Sequence, residues 1–185
     1  DLGLTAQSGG GVYSSEPYYL VDVKATGEAA DGAVVEYKWG DGGWTTEAPS
    51  ATNVADSLDG ISVRVSKEGY ETKQVDGLSI TVTQRPVTVT ADGASKAFGT
   101  ADPEFTARVD GTLDGDEVAY TVTRPGAGTD EAVGTYPDAV VAAGEESQGN
   151  YRVSYEPADF QIYTNTTDLG LTAQSGGGVY SSEPY

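Results

Sequence analysis

The 185-residue chain contains no cysteine, no methionine and no histidine. Without cysteine it forms no disulfide. Without cysteine and histidine it also lacks the usual zinc ligands, the thiol nucleophile and the commonest general base near neutral pH. The side chains that oxidise most easily are missing as well. These absences argue against an enzyme or a cofactor-dependent protein, and they suit an exposed, extracellular life.

Positive charge is scarce too. The chain has 10 Lys and Arg residues and 29 Asp and Glu residues, which gives a formal net charge of −19. Nucleic acids and anionic lipids are bound mainly through Lys and Arg, so we expect no nucleic-acid partner. No segment is long and apolar enough to span a bilayer, and we expect no membrane insertion. Charge of one sign does suit a protein held at high local density.

What the chain does contain is repetition. Its first eighteen residues, DLGLTAQSGGGVYSSEPY, recur without a difference as Asp168–Tyr185, 167 residues later. A second, weaker repeat aligns residues 4–27 with 89–111, and there Tyr13 falls opposite Phe98. Such periods indicate an array of similar units. We therefore predict an Ig-like β module over 1–84 (module 1), a related β module over 85–164 (module 2), and the start of the next repeat at 168–185.

Strand signals dominate both modules, as short alternating or β-branched runs broken by Gly, Pro, Asp and Asn. In ISVRVS, for example, Ile61, Val63 and Val65 fall on one face. The pattern predicts an all-β fold of two tandem, β-sandwich-like modules, with a β-grasp-like arrangement containing little helix as the alternative. The joints TVTQRPVTVT and YTNTTDLGLT lack a flexible linker, which predicts a rod.

Module 2 carries five recognisable motifs: VTVTA at its opening, K-x-F-G at Lys96–Gly99, D-P-E-F at Asp102–Phe105, VGTY at Val133–Tyr136 and GNY at Gly149–Tyr151. Together they resemble the MBG-type (YGX) repeats of bacterial cell-surface adhesins, with Phe98 where the repeat name expects tyrosine. Module 1, with VYSSEP, VEYKWGDGGWTTEAPS and VSKEGYE, is similar to the companion Ig-like repeats of those proteins. The resemblance implies a surface-exposed stalk or adhesive region, and it supplies no catalytic or cofactor-binding residues.

Aromatic residues are the candidate ligand contacts. Trp39 and Trp44 flank the turn signal Asp41-Gly42-Gly43, which predicts a hairpin. Two neighbouring indoles could stack on a sugar, although use of the rings in the core is the simpler interpretation. Tyr18 and Tyr19 are candidates for an interface between modules or chains, because a tyrosine ring with its polar tip fits a wet contact.

Acidic and lysine residues supply two weaker candidates. DGTLDGDE at 110–117 gathers carboxylates, and Asp114, Asp116 and Glu117 are weak calcium candidates in what is more simply a polar turn. A lysine–asparagine isopeptide crosslink would need Lys24 or Lys96 beside Asn53 or Asn150, and no motif fixes such a group.

Three functional hypotheses remain open at this point. The first is a non-enzymatic, tandem-repeat stalk segment of an extracellular bacterial adhesin or filament, whose partners are neighbouring repeats. The second is a module that binds host glycan, mucin or protein. The third is self-assembly by β-strand addition, in which the repeated tail, with Leu169, Leu171 and Val179, pairs with a neighbouring chain.

Overall fold

The computed structural model describes residues 1–128 and 131–166. Within these ranges the chain forms sixteen β-strands and one 3-10 turn, Val54–Asp56, and no α-helix. The predicted all-β class is therefore confirmed. None of the described segments is a helix of the length and apolarity needed to cross a membrane.

Module 1 contains the first eight strands. The sheet β2-β8-β7-β5 is its centre, and the two-stranded ribbons β1-β4 and β3-β6 lie beside it. All of these pairs are antiparallel except β2 with β8. The strands are β1 Gly3–Gln7, β2 Gly9–Val12, β3 Tyr18–Tyr19, β4 Val21–Thr26, β5 Val34–Lys38, β6 Ser50–Ala51, β7 Leu58–Ser66 and β8 Lys73–Thr83.

Module 2 contains the other eight strands, in two four-stranded sheets ordered β10-β16-β13-β12 and β11-β9-β15-β14. The pairs β10-β16 and β9-β15 are parallel, and the others are antiparallel. The strands are β9 Arg85–Ala91, β10 Ala94–Ala97, β11 Ala107–Asp110, β12 Thr121–Thr123, β13 Gly134–Ala143, β14 Ser147–Gln148, β15 Tyr151–Glu156 and β16 Ala158–Tyr163.

The two modules share a pairing scheme. β1-β4 corresponds to β9-β11, and the parallel pair β2-β8 corresponds to β10-β16, as the weak sequence repeat predicts. The residue after the corresponding short strand makes the same bond in each. Tyr13 donates its backbone N–H to Thr83 (2.9 Å) and Phe98 donates to Tyr163 (2.9 Å), so Tyr13 and Phe98 occupy equivalent positions. The division of the chain into modules at residues 84 and 85 stays a prediction.

The core follows the alternation in the sequence. Ile61, Val63 and Val65 are fully buried, as their spacing predicts. Residues of both modules belong to one continuous hydrophobic cluster, from Ile61 and Ile80 in module 1 to Val89 and Phe160 in module 2. The modules therefore meet through packed side chains and do not hang on an open linker.

Two strands are shorter than their sequence patterns predict. Within the run EFTARV the strand begins only at Ala107, and within EVAYTVT only at Thr121. At Ala119 a side chain takes the place of a neighbouring strand, because Gln148 accepts from its N–H (2.7 Å) and donates to its carbonyl (2.9 Å). The predicted hairpin around Asp41 is confirmed, since Tyr37 and Thr45 exchange backbone hydrogen bonds.

Candidate functional site

The most extensive set of specific side-chain contacts lies at the joint between the modules, where two tyrosine rings meet. Tyr13 of module 1 packs edge-on against Tyr151 of module 2, with ring centroids 5.6 Å apart and planes at 87°. Both rings are buried, at 7% and 4% exposure. An edge-to-face pair of this kind contributes about 0.5–1.5 kcal/mol beyond the area it buries.

One carboxylate holds both phenols of this aromatic pair. Asp116 Oδ2 accepts hydrogen bonds from the Tyr151 hydroxyl (2.6 Å) and from the Tyr13 hydroxyl (3.3 Å). The Leu113 N–H donates to the Tyr151 oxygen (3.0 Å), which fixes that ring from the other side. Burial raises the pKa of Tyr151, and its hydrogen bond to Asp116 adds to the rise. The Tyr151 phenol therefore stays protonated and keeps donating to Asp116.

Asparagine side chains form a second contact across the same joint. Asn150 accepts from the Val54 N–H (2.9 Å) through Oδ1 and donates to Asn53 Oδ1 (2.9 Å) through Nδ2. Asn53 is held in turn by Asp56, which accepts from its backbone and side-chain N–H groups. The backbone carbonyl of Asn150 also accepts from Arg85 N–H (2.8 Å). The two bonds of Asn150 to Val54 and Asn53 cross the joint and are directional, so they favour one orientation of module 1 on module 2.

The connection itself is a single residue between strands, because β8 ends at Thr83 and β9 begins at Arg85. The side chain of Gln84 donates to Ser147 Oγ (2.7 Å) and to the Gly149 carbonyl (3.1 Å). Pro86, which follows Arg85, restrains the local backbone toward extended geometry. The link, the asparagine contact and the tyrosine pair together leave the joint little freedom to bend.

A second polar constellation lies inside module 2, at the end away from this joint. Lys96 and Arg124 are buried, and they face two carboxylates, Asp102 and Glu131. Arg124 donates to both oxygens of Asp102 at 2.8 Å, and its guanidinium lies 4.1 Å from the centre of the Phe160 ring. Two positive and two negative groups thus compensate each other out of water.

The hydrogen bonds within this cluster favour the ionised forms of its four side chains. The hydrogen bond to Arg124 lowers the pKa of Asp102 and takes that of Glu131 to about 2, while the bond to Asp102 raises the pKa of Lys96. An isopeptide bond needs a neutral lysine amine as its nucleophile, and the raised pKa of Lys96 opposes that reaction. Lys96 contacts carboxylates and the Gly128 carbonyl, whereas Asn150 bonds across the joint, so these two candidate crosslinking residues do not face each other.

The two tryptophans do not form an open platform. Trp39 is half-buried and packs against the hydrophobic core. Trp44 is half-buried as well, and the guanidinium of Arg64 lies 4.3 Å from the centre of its ring. Arg64 is itself held by Glu36 (2.8 Å). One face of Trp44 is thus occupied, and the assignment of these rings to a ligand stays a prediction.

The remaining candidates have local roles. Tyr18 and Tyr19 form β3, where the Tyr18 hydroxyl donates to the Val12 carbonyl (2.7 Å) and Tyr19 is exposed. Of the calcium candidates Asp114, Asp116 and Glu117, the second holds the two tyrosines. The described part of the chain contains no group of three or more acidic side chains placed to hold a metal ion. The strand-addition segment with Leu169, Leu171 and Val179 lies outside the described residues.

Comparison with known protein families bears on module 2. Residues 87–161 match the MBG domain of the YGX type. The predicted MBG-type region is thereby confirmed, and the family points to a cell-surface repeat of the adhesin type, a class not known for catalysis. The comparisons with curated proteins and with solved structures gave no match.

The MBG motifs have a structural explanation in the ion cluster. Lys96 comes from K-x-F-G and Asp102 from D-P-E-F, and the strand arrangement brings them to 2.8 Å from each other. Arg124 and Glu131 complete the cluster but stand outside every motif noted in the sequence. A basic residue within a strand-like run is the one signal that could have singled out Arg124. Nothing in the sequence marks Asn53 and Asn150 as partners, because 97 residues separate them.

Proposed function

We propose that the chain is a structural, non-enzymatic stalk segment of an extracellular bacterial adhesin or filament. The observation that carries this proposal is the joint between module 1 and module 2. The modules are held in one orientation by the tyrosine pair, the asparagine contact and the one-residue link. A stalk requires such a fixed orientation between successive modules.

The path of the chain supports the same function. Module 1 meets module 2 at the end where β8 finishes, and the chain leaves module 2 through β16, beside Phe98 and the ion cluster at the far end. Entry and exit at opposite ends let units follow one another in a line. The net charge of −19 then keeps neighbouring stalks apart on a crowded surface.

Small-angle X-ray scattering tests this proposal. The whole chain is compared with a two-unit chain, in which residues 1–167 precede the full 185-residue sequence. Strands of eight to ten residues rise about 3.3 Å per residue, so each unit of two modules should add about 60–80 Å to the maximum dimension. A two-unit chain that folds back, with a maximum dimension close to that of one unit, contradicts a stalk.

The same measurement has a matched control within the joint. In the single chain, Asn150→Ala removes the contact to Asn53 and Val54, and we expect broader scattering profiles typical of a bending molecule. Gln74→Ala removes an exposed amide that donates to Asp76 within module 1, away from the joint, and it should leave the profile unchanged. Specific binding to an array of host glycans and mucins, lost on Trp44→Ala, would instead support the adhesive alternative.

A further inference from the structure

Large aromatic side chains are exposed at both outer ends of the two-module unit. Phe98, in module 2, is 42% exposed, and Tyr70, in module 1, is 47% exposed. Phe98 occupies the position equivalent to Tyr13, which is buried in the joint between the modules, and Tyr70 lies in the turn of module 1 that corresponds to the turn before Tyr151. This equivalence identifies what covers them.

Phe98 is the counterpart of Tyr13. Each follows the short strand that runs parallel to its module's last strand, and each donates its N–H to the carbonyl at the end of that strand. Tyr13 is covered because module 2 begins directly after that end, at Arg85. Phe98 is exposed although Asn165, just after the end of β16, donates to its carbonyl oxygen (3.1 Å). The Phe98 ring therefore lies where the chain leaves module 2.

Tyr70 lies in the turn before the last strand of module 1, and Tyr151 follows the turn before the last segment of sheet in module 2. Each turn contains a glycine of positive φ, Gly69 at 85° and Gly149 at 58°; Tyr70 follows its glycine directly, whereas Asn150 separates Tyr151 from its glycine. In module 2 this turn lies at the end that receives Tyr13. In module 1 it lies at the end where the chain enters, because Lys67 bonds to the carbonyls of Ala29 and Asp31 and lies 5.6 Å above the Tyr70 ring.

The entering ends of the two modules also match in their backbone. A Cβ on Gly27 would lie 2.5 Å from the carbonyl oxygen of Asp1, and a Cβ on Gly111 would lie 2.6 Å from that of Pro86. Asp1 thus corresponds to Pro86, the second residue of module 2. The entering end of module 1 therefore has the backbone shape of the surface onto which Tyr13 packs.

Both polar groups of the Asp116–Tyr13 hydrogen bond are absent from the corresponding positions at the outer ends of the unit. Asp116, which binds the Tyr13 hydroxyl, closes a turn by donating its N–H to the Leu113 carbonyl (3.0 Å), and Ala33 closes the equivalent turn onto Ala30 (3.1 Å). Module 1 thus has no carboxylate at this position, and Phe98 has no hydroxyl that would need one. The Phe98 ring therefore needs no carboxylate partner in this turn, and the two surfaces fit together without the polar bond.

The repeat brings these two surfaces together. Asp168–Tyr185 repeats the opening of module 1, which predicts a second copy of module 1 after module 2. Four residues, 164–167, separate Tyr163 from Asp168, whereas two residues separate Thr83 from Pro86 in the joint already described. So short a connection places the entering end of the following module 1 beside Phe98.

We propose that Phe98 of one unit packs against Tyr70 at the entering end of module 1 in the following unit, closing an interface between units at the place that corresponds to the Tyr13 joint within a unit. This inference rests on the proposed stalk function and names its partner, a second copy of module 1 in the same array. Phe98 and Tyr70 are exposed in a single unit because each lacks its neighbour.

A crosslinking experiment in the two-unit chain tests the contact, and the natural absence of cysteine makes it clean. Thr100→Cys in the first unit and Thr72→Cys in the second place thiols beside the two rings. A short bis-maleimide reagent then joins them, and the product is followed by gel and mass spectrometry. Thr100→Cys with Glu16→Cys of the second unit, at the far end of module 1, is the control pair. We expect the first pair to react about tenfold faster, since contact raises the effective concentration.

Further variants test whether the two aromatic rings cause the faster crosslinking of the first pair. Phe98→Ala in the first unit, or Tyr70→Ala in the second, should reduce crosslinking to the level of the control pair. Tyr120→Ala, an exposed aromatic residue beside Asp116 at the other end of module 2, should leave it unchanged. Unfolding of the single chain in urea confirms that each variant is folded.

The outcomes separate this inference from the stalk function. A first pair that reacts no faster than the control pair, or reacts equally well after Phe98→Ala and after Tyr70→Ala, overturns the contact between units. If the two-unit chain is nevertheless long in solution, the stalk function stands without this contact. If it folds back, the stalk function fails whatever the crosslinking shows.

Discussion

Replacing Arg124 with methionine should destabilise the chain more than any exposed charge substitution. Arg124 is 6% exposed, binds Asp102 and Glu131, and lies against the Phe160 ring. Methionine keeps much of the volume but leaves two carboxylates facing only Lys96. One buried negative charge is then uncompensated, and breaking a buried pair in this way costs about 3–5 kcal/mol.

Urea unfolding followed by circular dichroism measures this loss. With an m value of about 2 kcal/mol/M, the midpoint should fall by about 1.5–2.5 M. Arg108→Met is the matched control, because Arg108 binds Asp92 (3.0 Å) with 76% of its side chain exposed. Exposed pairs of this kind contribute about 0–1 kcal/mol.

Arg124→Lys separates charge from geometry. Lysine restores the positive charge but cannot bind two carboxylates with a planar fork, so its loss should lie between those of the other two variants. If Arg124→Met lowers the midpoint no further than Arg108→Met does, the cluster does not stabilise module 2 and the reasoning fails.

Three other predictions concern pH and backbone geometry. The pKa values of Asp102 and Glu131 are lowered in the folded protein. The stability that their ionised forms contribute is therefore complete above their ordinary pKa values and is lost as the pH falls toward about 2. Acid titration of the chain, with Glu131→Gln as reference, measures this loss. The pKa of Tyr151 is raised by burial, so its contribution is complete below about pH 10 and is lost as the pH rises further. Urea midpoints between pH 9 and 11 should therefore fall more steeply than in Tyr151→Phe, and equal slopes would contradict this. Gly111→Ala should cost about 1–3 kcal/mol or more, because its φ is 103° and its Cβ would meet a backbone carbonyl at 2.6 Å. Gly115→Ala, with a φ of 86° and open space around it, should cost less in the same urea assay.

Local pattern was enough to predict most of the strands. RPVTVTA and NYRVSYE coincide with β9 and β15 to within a residue, because alternation and β-branching report directly on a half-buried sheet. The pattern failed at β13, where Pro137 argues against a strand. The chain accommodates it with a register shift between Tyr136 and Val140 and a positive φ at Asp138. Such an irregularity depends on the partner strand, and a linear pattern does not contain it.

The sequence predicts where the two modules are joined but not which residues form the contact. The shortness of TVTQRPVTVT shows that the modules lie close together, but the contacts come from residues far apart in the chain. Asp116 and Tyr13 are 103 residues apart, and nothing near either one marks the other. The carboxylates of the 110–117 turn indicate a polar loop, and only the fold shows that one of them holds two phenols of the joint.

The two kinds of joint differ in a way that matters for the whole array. Within a unit, the bonds of Asp116 and Asn150 exist for only one rotation of module 1 about the long axis, so they fix twist as well as distance. Between units, the proposed contact of Phe98 with Tyr70 has no hydroxyl–carboxylate bond, and its connection is two residues longer and lacks the proline. Apolar rings tolerate sliding that directional hydrogen bonds do not. We therefore expect the array to behave as stiff two-module rods joined by more compliant contacts, with bending concentrated once every 167 residues.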